Sequence, residues 1–379
     1  MIQFKEPDFT QLIQAIQTAV LGFTELQKFS TAKLETALSA TVSKIHGTSS
    51  DSRENAHFSF KTKILFYETQ PQRPPIGTSL IFGAQSSPLL RLIPVLHALK
   101  NRCSLVFLCS PHQHLKYEQL LSVLIQNGIP EKSVVLISTQ DPESLETLIA
   151  HPSLKAIHFE GYHYEGAFLK TLNLPVFKKR IRIHLGGRNP VIFTHDAPYE
   201  VLPEFLAVAL DNSYLAEHSF NRWFVQDKNY SDFVKQIEIL LPKVPTLSLE
   251  KNAAYDRVVQ TQNAALLKEN NWKLGTVNLN TDFNNCSPWQ QQEILGPILT
   301  ITRFKNTAEA IKFANTTNYA SGAAVFTGSI EKSMDLAQQL SMPHRFSQKV
   351  PDMGAVPLVT GLSDTGFGQN MADKDFFVF

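Results

Sequence analysis

Cysteine and glutamate are the residue types in this chain from which covalent or redox chemistry is first expected. The three cysteines are Cys103, Cys109 and Cys286, and none belongs to a C-x-x-C pair that would indicate a metal site. Cys286 lies in a polar loop shortly before the segment QEILGPILTITRF, and no base can be assigned beside it. Glu293 lies within that segment, close to a Gly-Pro turn, where a carboxylate serves the backbone as readily as a ligand. Residue type alone therefore identifies no nucleophile.

Length, charge and cysteine content limit the classes of protein to consider. A chain of 379 residues is long for one hydrophobic core and predicts two domains. The net charge of +1, from 35 basic and 34 acidic residues, gives no electrostatic reason to expect a nucleic-acid partner. The cysteines are few and their number is odd, which favours a reducing compartment over a disulfide framework. Because no apolar run approaches the roughly 20 residues that span a bilayer, and the first residues show no secretory signal, we expect a cytoplasmic protein.

Strands alternate with helices along most of the chain, which is typical of a doubly wound parallel sheet. Two amphipathic helices are predicted over residues 9–44, with a break near Ser30 and Thr31, followed by a strand over residues 61–75. The remaining predicted strands are 78–83, 105–108, 134–137, 156–159, two within 181–193, 222–226, 299–304 and 323–327. The remaining predicted helices are 89–99, 117–127, 142–150, 200–216, 230–241, 307–315 and 330–340. Between residues 242 and 291 the pattern is weak.

Six segments, in chain order, resemble landmarks of the NAD(P)-dependent aldehyde dehydrogenase superfamily. The strongest begins with QEILGPILTITRF and covers residues 292–327, and it is similar to the family's glutamate-bearing E-[IL]-[FL]-G-P-[IV] segment. The others are PIGTSLIFGAQSSP at 75–88, HFEGYHYEG at 158–166, IHLGGRNP at 183–190, NRWFVQDKNYSDF at 221–233 and SDTGFG at 363–368. The match covers nearly the whole chain and looks closest to the shorter class that includes the fatty aldehyde enzymes.

The resemblance implies an α/β fold of two doubly wound domains with an interdomain cleft and a small oligomerisation hairpin. Residues 1–183 correspond to a Rossmann-like nucleotide-binding domain, in which residues 58–75 supply a strand of the oligomerisation element. Residues 184–345 correspond to the catalytic domain, and residues 346–379 to a C-terminal return segment. Family members pair through the hairpin, so a homodimer is expected. The resemblance implies that the cleft is lined by Ser86, His184, His218, Glu293 and aromatic residues from Phe367 onward.

Different residue types stand at the family's catalytic positions. An ungapped count places His218 where the family has its nucleophilic cysteine, with Glu217 one residue earlier, and neither can form a thiohemiacetal. His184 corresponds to the general-base glutamate, and an imidazole can accept a proton near neutral pH. Ser86 corresponds to the asparagine that holds the oxyanion, and its shorter side chain falls short of the ideal donor distance. The resemblance thus predicts that polar side chains occupy the catalytic positions but cannot form the covalent thiohemiacetal.

The positions that correspond to cofactor contacts are changed as well. Cys109 stands at the position of the lysine that holds the adenosine ribose, and a thiol is a poor donor without charge. Gly161 and Gly166 open the helix whose backbone N–H groups would receive the diphosphate, but Glu160 brings a negative charge to its mouth. Glu293 corresponds to the glutamate that contacts the nicotinamide ribose. The implied fold therefore makes binding of NAD or NADP possible, whereas the residue types at Cys109 and Glu160 disfavour it.

Three functions remain open on this basis. The first is a catalytically inactive aldehyde dehydrogenase homologue that is retained for binding or assembly, because the cysteine, glutamate, asparagine and lysine are all replaced. The second is an active NAD(P)-dependent aldehyde oxidoreductase with an altered mechanism, in which Cys286 or a water supplies the nucleophile. The third is a metal-binding protein in which His184 and His218 converge with Glu217. Two histidines rarely suffice to hold a metal, so no metal ligand is assigned.

Overall fold

The computed structural model describes two compact units, which consist of residues 1–183 with 368–379, and of residues 184–367. The described residues are 6–48, 58–59, 62, 74–83, 89, 91–139, 141–161, 166, 169, 179–185, 187–211, 220–243, 278–281, 298–317, 320, 322–342, 344–347 and 366–368.

Ten described helices and strands follow one another in the first part of the chain. They are α1 (Phe9–Leu26), α2 (Thr31–Ile45), β1 (Thr78–Phe82), α3 (Leu92–Lys100), β2 (Leu105–Cys109), α4 (His114–Gln126), β3 (Val134–Ser138), α5 (Pro142–Ala150), β4 (Leu154–Glu160) and β5 (Arg180–His184). Short 3-10 turns at Pro111–Gln113 and Glu131–Ser133 precede α4 and β3. A last strand, β12 (Gly366–Gly368), joins the same sheet beside β5.

The first sheet has the strand order β12-β5-β4-β1-β2-β3. Strand β1 pairs in parallel with β2 on one side and with β4 on the other, and β2 pairs in parallel with β3. All five residues of β1 and of β2 are buried. Strands that are covered on both faces read as continuous apolar runs, which is why TSLIF and LVFLC lack the alternation of a half-exposed strand.

Side-chain caps fix the first two helices, and a glycine brings one of them close to the sheet. Asp8 and Gln11 form a reciprocal capping box at the start of α1. Ser30 accepts a hydrogen bond from the Lys33 N–H and starts α2, where the sequence predicts the break. Helix α1 packs against β3 and the Glu131–Ser133 turn. A Cβ atom on Gly22 would lie 2.1 Å from the Lys132 carbonyl oxygen, so only glycine permits this approach.

The second unit also contains a six-stranded sheet, in the order β11-β10-β6-β7-β9-β8. Its elements are β6 (Pro190–Phe193), α6 (Leu202–Asp211), β7 (Arg222–Gln226), α7 (Tyr230–Leu240), β8 (Asn278–Thr281), β9 (Ile298–Phe304), α8 (Thr307–Asn315), β10 (Gly322–Phe326), α9 (Ile330–Gln338) and β11 (His344–Ser347). Every pairing between neighbouring strands in this described sheet is parallel.

Two apolar clusters cover the two faces of the second sheet. Side chains alternate along each strand, so that Phe193 and Trp223 belong to one cluster while Ile192 and Phe224 belong to the other. Residues of α6 and α7 complete the first cluster, and residues of α8 and α9 complete the second. The Phe193 ring stacks on Phe326 with a centroid distance of 5.0 Å. Helices on both faces make this a doubly wound sheet.

Most of the predicted helices and strands in the described residues are confirmed, with differences of a few residues at their ends. Three short strands were not predicted: β8, β11 and β12. The predicted strand over residues 61–75 is wrong at Thr62, which is helical, as are Phe58 and Ser59 before it. The Thr62 hydroxyl donates to the Phe58 carbonyl at 2.8 Å, the back-bond that a threonine makes within a helix. Residues 63–73 lie outside the described part of the chain.

We predict that Gly22→Ala destabilises the protein by about 1–3 kcal/mol, because the methyl group would overlap the Lys132 carbonyl. At an uncrowded helical position the same change should stabilise by about 1 kcal/mol. The free energy of unfolding from denaturant titration distinguishes the two signs. The exposed Ser39→Ala variant in α2 is the control and should change stability little. A Gly22→Ala variant that is more stable than wild type would contradict this packing.

We also predict an acid-dependent loss of stability from His97, which is buried in α3. Burial first, and then the charges of Arg182 and Lys100 with the nearby His158, lower the pKa of His97 from 6.5 to about 3. Between pH 6.5 and about 3 the unfolded chain therefore binds a proton that the native protein does not. Stability should fall with decreasing pH in this window by up to about 1.4 kcal/mol per pH unit from this group.

The measurement is denaturant unfolding across this pH window for wild type and His97→Gln. The variant should show a smaller pH slope, because glutamine has no proton to gain on unfolding. The exposed His46→Gln variant is the matched control for replacing a histidine by glutamine. Equal slopes in wild type and His97→Gln would show that His97 is not the group responsible.

Candidate functional site

The carboxyl edge of the first sheet contains a topological switch point. The chain moves from β1 outward to β2 and β3, and then returns to place β4 on the other side of β1. In open α/β sheets, ligands bind outside the carboxyl ends of the strands at such a point. The residues that follow these strand ends, Gly83 after β1 and Gly161 after β4, therefore mark the expected binding edge.

Strands β1 and β4 approach each other closely at this edge. Gly83 has φ +142°, a value that side-chain-bearing residues rarely adopt. A Cβ atom there would lie 1.9 Å from the Glu160 carbonyl oxygen. Both constraints require glycine, so the β1 end offers only backbone to a ligand.

A carboxylate lies at the carboxyl end of β4. Glu160 has its side chain 24% exposed, and its Oε2 atom is 3.9 Å from Nε2 of the buried His158. This places a negative group directly before Gly161, at the end of the strand that forms the switch point with β1. A phosphate brought to this edge would be repelled by the carboxylate.

Cys109 ends β2 and is 2% exposed. Its Sγ atom lies 3.3 Å from the Ser138 hydroxyl oxygen at the end of β3. Burial raises the pKa of Cys109, and the Ser138 hydrogen bond and the charge of Arg91 offset this only in part. The thiol is therefore neutral and already has a hydrogen-bond partner, so it lacks the charge with which a lysine would hold a ribose.

His114 joins this edge, although the sequence analysis did not single it out. It is the first residue of α4, and its Nδ1 atom lies 2.5 Å from the Ser138 hydroxyl oxygen. A sequence signal existed: Ser138 and the Ser110–His114 stretch each follow an apolar run, and the carboxyl ends of neighbouring parallel strands meet. Only the register between β2 and β3, which pairs Cys109 with Ser138, brings these side chains together.

The second unit has a buried polar centre at the amino ends of its strands, which we call the Arg188 node (Arg188, Asn221 and Thr300). Arg188 lies in the turn between β5 and β6 and is fully buried. Its Nη1 atom donates to Asn221 Oδ1 at 3.0 Å, and its Nη2 atom donates to Thr300 Oγ1 at 3.1 Å. The Thr300 N–H also donates to the Asn221 carbonyl at 2.9 Å. One guanidinium therefore links three separate segments.

These three segments flank the positions that the resemblance singles out for catalysis. Arg188 lies four residues after His184, Asn221 lies three residues after His218, and β9 begins five residues after Glu293. The Arg188 node therefore joins the chain close to all three positions. His184 is the last residue of β5, and its side chain lies outside the described part of the structure.

Arg222, next to the node, is a second buried guanidinium. Its Nη2 atom donates to the carbonyls of Phe313 and Ala314 in the last turn of α8, at 2.6 and 3.0 Å. Carbonyls at a helix C-terminus carry partial negative charge and attract a cation. Burial, and then the charge of Arg188, lower the pKa of Arg222 to about 9, so it remains a cation near neutral pH.

The remaining candidate residues are only partly accounted for. Gly161 follows β4, and Gly166 is helical and buried. Ser86, Glu217, His218, Cys286 and Glu293 lie outside the described residues, so their predicted roles stay predictions. The described residues, which do not include His218, contain no group of three or more His, Cys, Asp or Glu side chains that could hold a metal. None of the described helices is long and apolar enough to cross a membrane.

Two doubly wound parallel sheets, one with a switch point of the nucleotide-binding type, define an α/β protein that matches aldehyde dehydrogenase structures. The family model described as "Aldehyde dehydrogenase family" matches residues 26–260 and 274–377. The chain therefore belongs to the aldehyde dehydrogenase family.

Similar proteins bear this out at low identity. Retinaldehyde dehydrogenase 3 of Rattus norvegicus is 27% identical over 58% of this chain and 48% of its own length. The 2-aminomuconic semialdehyde dehydrogenase of Bos taurus is 24% identical over 71% of this chain and 61% of its own length. The chain thus spans about half to three fifths of these relatives. The crystal structure of Pseudomonas syringae aldehyde dehydrogenase C with NAD+ and octanal has a TM-score of 0.84 and 17% identity, covering 99% of this chain and 88% of that one.

We predict that Cys103 and Cys109 are inert towards thiol reagents in the native protein. Burial raises the pKa of Cys103 to about 12, and burial also raises that of Cys109, so neither forms an accessible thiolate. In a Cys286→Ser variant, Ellman's reagent should react only after denaturant is added, and then with both remaining thiols. Rapid reaction of the native variant would contradict the packing of β2.

Proposed function

We propose that this protein is a catalytically inactive member of the aldehyde dehydrogenase family, which keeps the framework of the active site without its covalent chemistry. The Arg188 node is the observation that carries the proposal. It joins the flanks of the positions that correspond to the base, the nucleophile and the nicotinamide contact. This contact supports the proposal that the framework around these positions is retained, and the residue types at the positions then decide the chemistry.

Those residue types do not support aldehyde oxidation through a covalent thiohemiacetal. The count from the LGGRNP segment assigns His218 to the nucleophile and His184 to the base, and an imidazole cannot replace the thiolate in that intermediate. Neither of the described cysteines provides a substitute, because Cys103 and Cys109 are both buried in the first unit. Cys286 belongs to the alternative of an altered mechanism.

The residues at the carboxyl edge of the first sheet fit NAD or NADP poorly. Cys109 is neutral and engaged with Ser138, and the β2 end offers no carboxylate or lysine for a ribose hydroxyl. Glu160 adds a negative charge at the switch point. The Pseudomonas syringae relative holds NAD+ in its crystal structure. For this chain we propose that dinucleotide affinity is weak or absent.

The domain roles and the setting of the protein complete the proposal. We assign residues 1–183 to the nucleotide-binding domain, residues 184–345 to the catalytic-type domain and residues 346–379 to the return segment. The two described cysteines, Cys103 and Cys109, are not joined in a disulfide, which suits a reducing compartment and supports a cytoplasmic location. A homodimer follows from the family resemblance, and sedimentation equilibrium would test it.

We predict no cofactor reduction when the protein is given short, long or aromatic aldehydes with NAD or NADP. The melting temperature should not rise at millimolar cofactor, because a ligand that binds the native state must stabilise it. The isosteric Glu160→Gln variant removes the repelling charge, so any cofactor-induced rise in melting temperature should be larger in that variant than in wild type. Turnover that disappears in His184→Ala or Glu293→Ala would instead establish the active enzyme with an altered mechanism.

A further inference from the structure

Four cationic side chains lie at the amino edge of the first sheet, where helices of this unit end and strands begin. We call this surface the basic edge, and it consists of Arg102, Lys132, Lys155 and Lys179. We propose that the basic edge binds a linear polyphosphate, that is, a chain of phosphate groups. Such binding requires neither an aldehyde nor a dinucleotide. The proposal therefore stands or fails independently of the function proposed above.

Two of these lysines hold the turn between α5 and β4. The Lys179 Nζ atom donates to the carbonyls of Ile149 and His151, at 2.5 and 2.6 Å. The Lys155 Nζ atom donates to the Pro152 carbonyl at 2.8 Å. The two ammonium groups thus contact carbonyls of neighbouring residues in one turn. Lys179 is largely buried, whereas Lys155 is exposed to solvent.

The end of α1 contacts the other two cationic residues. The Lys132 Nζ atom lies 3.5 Å from the Glu25 carboxylate. Two residues further along the chain, Gln27 Nε2 donates to the Arg102 carbonyl at 2.9 Å. Lys132 precedes β3 and Arg102 precedes β2, and these two strands are neighbours in the sheet. Arg102 and Lys132 therefore lie side by side at the same edge.

Gly77, the residue before β1, connects the two halves of the basic edge. A hydrogen bond joins its backbone to the thiol of Cys103, which follows Arg102 in the chain. A Cβ atom on Gly77 would lie 3.2 Å from Cγ of Lys155. Lys155 and the turn that carries Arg102 are therefore both in contact with the start of β1.

The cations are close enough to act on one another. Burial, and then the charge of Lys155, lower the pKa of Lys179 to about 8, so Lys179 is still a cation near neutral pH. Burial, and then the charge of Lys179, lower the pKa of His151. Like charges that are held together repel, and a bound anion removes this repulsion. The edge is therefore locally basic, although the whole chain has a net charge of only +1.

The backbone at Arg102 indicates that a cation is kept there at a conformational cost. Helices α3 and α4 both end in a Schellman motif, in which one residue adopts a left-handed conformation. In α4 this residue is Gly128, with φ +95°, whereas in α3 it is Arg102, with φ +56°. Within the described part of the chain, Arg102 is the only non-glycine residue with a positive φ. Glycine adopts this conformation more readily, and such strain is found where a side chain has a function.

The basic edge fits a ligand that is recognised by charge alone. Its turns, residues 99–104, 127–133 and 149–155, contain no phenylalanine, tyrosine or tryptophan and none of the exposed large apolar residues. Single-stranded nucleic acids bind through aromatic rings as well as cations. The row of cations runs from the start of β3 to the start of β5, which is four strand intervals or about 19 Å. A chain of phosphates can extend along this row, whereas a single phosphate meets only part of it.

We test binding by isothermal titration calorimetry of the full-length protein with long-chain inorganic polyphosphate. Binding should be saturable and should weaken as salt is added, because salt screens exposed cations. Orthophosphate at the same phosphate concentration, and an RNA oligonucleotide of the same total charge, should both bind more weakly. Equal binding of orthophosphate would show an adventitious ion only, and tighter binding of RNA would identify a nucleic-acid surface. Either result overturns the proposal.

Arg102→Gly and Lys155→Gln should each lower the affinity for polyphosphate about fivefold and reduce its salt dependence, because each removes one cation from the row. In denaturant unfolding, Arg102→Gly should be at least as stable as wild type, since glycine suits the positive φ. Weaker binding with retained stability is a result that a purely structural arginine would not give.

Lys312→Gln is the matched control, since Lys312 is an exposed lysine of α8 in the second unit and its variant should keep the wild-type affinity. The absence of polyphosphate binding by wild type, or wild-type affinity in both variants of the basic edge, would contradict the proposal. So would an Arg102→Gly variant that is less stable than wild type and binds polyphosphate equally well.

Discussion

One buried guanidinium, that of Arg188, is the interaction on which the second unit depends. It is fully buried and joins the β5–β6 turn to the residue before β7 and to β9. A buried ion is costly to keep, and removing one partner of such a group destabilises a protein by about 3–5 kcal/mol. The three segments are therefore difficult to alter separately. The node therefore holds these three segments in one arrangement.

The neighbouring Arg222 shows how a second cation is tolerated beside the first. Its repulsion by Arg188 is offset by the Phe313 and Ala314 carbonyls at the end of α8, and its guanidinium also lies 5.0 Å from the Phe224 ring. The position of α8 is thereby tied to the start of β7. The packing of α8 on the second sheet is therefore linked, through Arg222, to the neighbouring Arg188 node. This link favours one arrangement of the amino ends of the strands.

The sequence predicts the parts of this fold that depend on long apolar patterns. Buried strands such as β2 and periodic helices such as α8 were found because burial on both faces leaves continuous apolar runs, and helices leave a 3.6-residue period. The short strand β8 (NLNT) was missed because asparagine disfavours strands and only pairing with β9 holds it extended. The helical turn at Thr62 was missed because a β-branched, aromatic-rich stretch indicates a strand by composition.

The sequence predicted individual site positions within short motifs, but it did not predict the contacts between residues that are distant along the chain. The resemblance identified Cys109 and Gly161 one at a time, and the apolar runs before Ser138 and His114 indicate only that both residues follow strand ends. The contacts among Cys109, Ser138 and His114 require the register of β2 on β3 and the start of α4 at His114, both of which are long-range results of packing. The same limit applies to the Arg188 node, whose partners lie 33 and 112 residues away along the chain.

The Arg188 node and the carboxyl edge of the first sheet differ in the kinds of polar groups that they contain. At the Arg188 node, the guanidinium donates to an amide oxygen and to a hydroxyl oxygen, so the node holds backbone segments together. At the carboxyl edge of the first sheet, the Cys109 thiol is buried, and the Ser138 hydroxyl oxygen lies 3.3 Å from its Sγ atom and 2.5 Å from Nδ1 of His114. A lysine in place of Cys109 could not occupy that buried position without losing its charge or leaving the sheet. Because the Cys109 thiol is small and its pKa is raised by burial, it fits this edge as a neutral group beside the Ser138 hydroxyl.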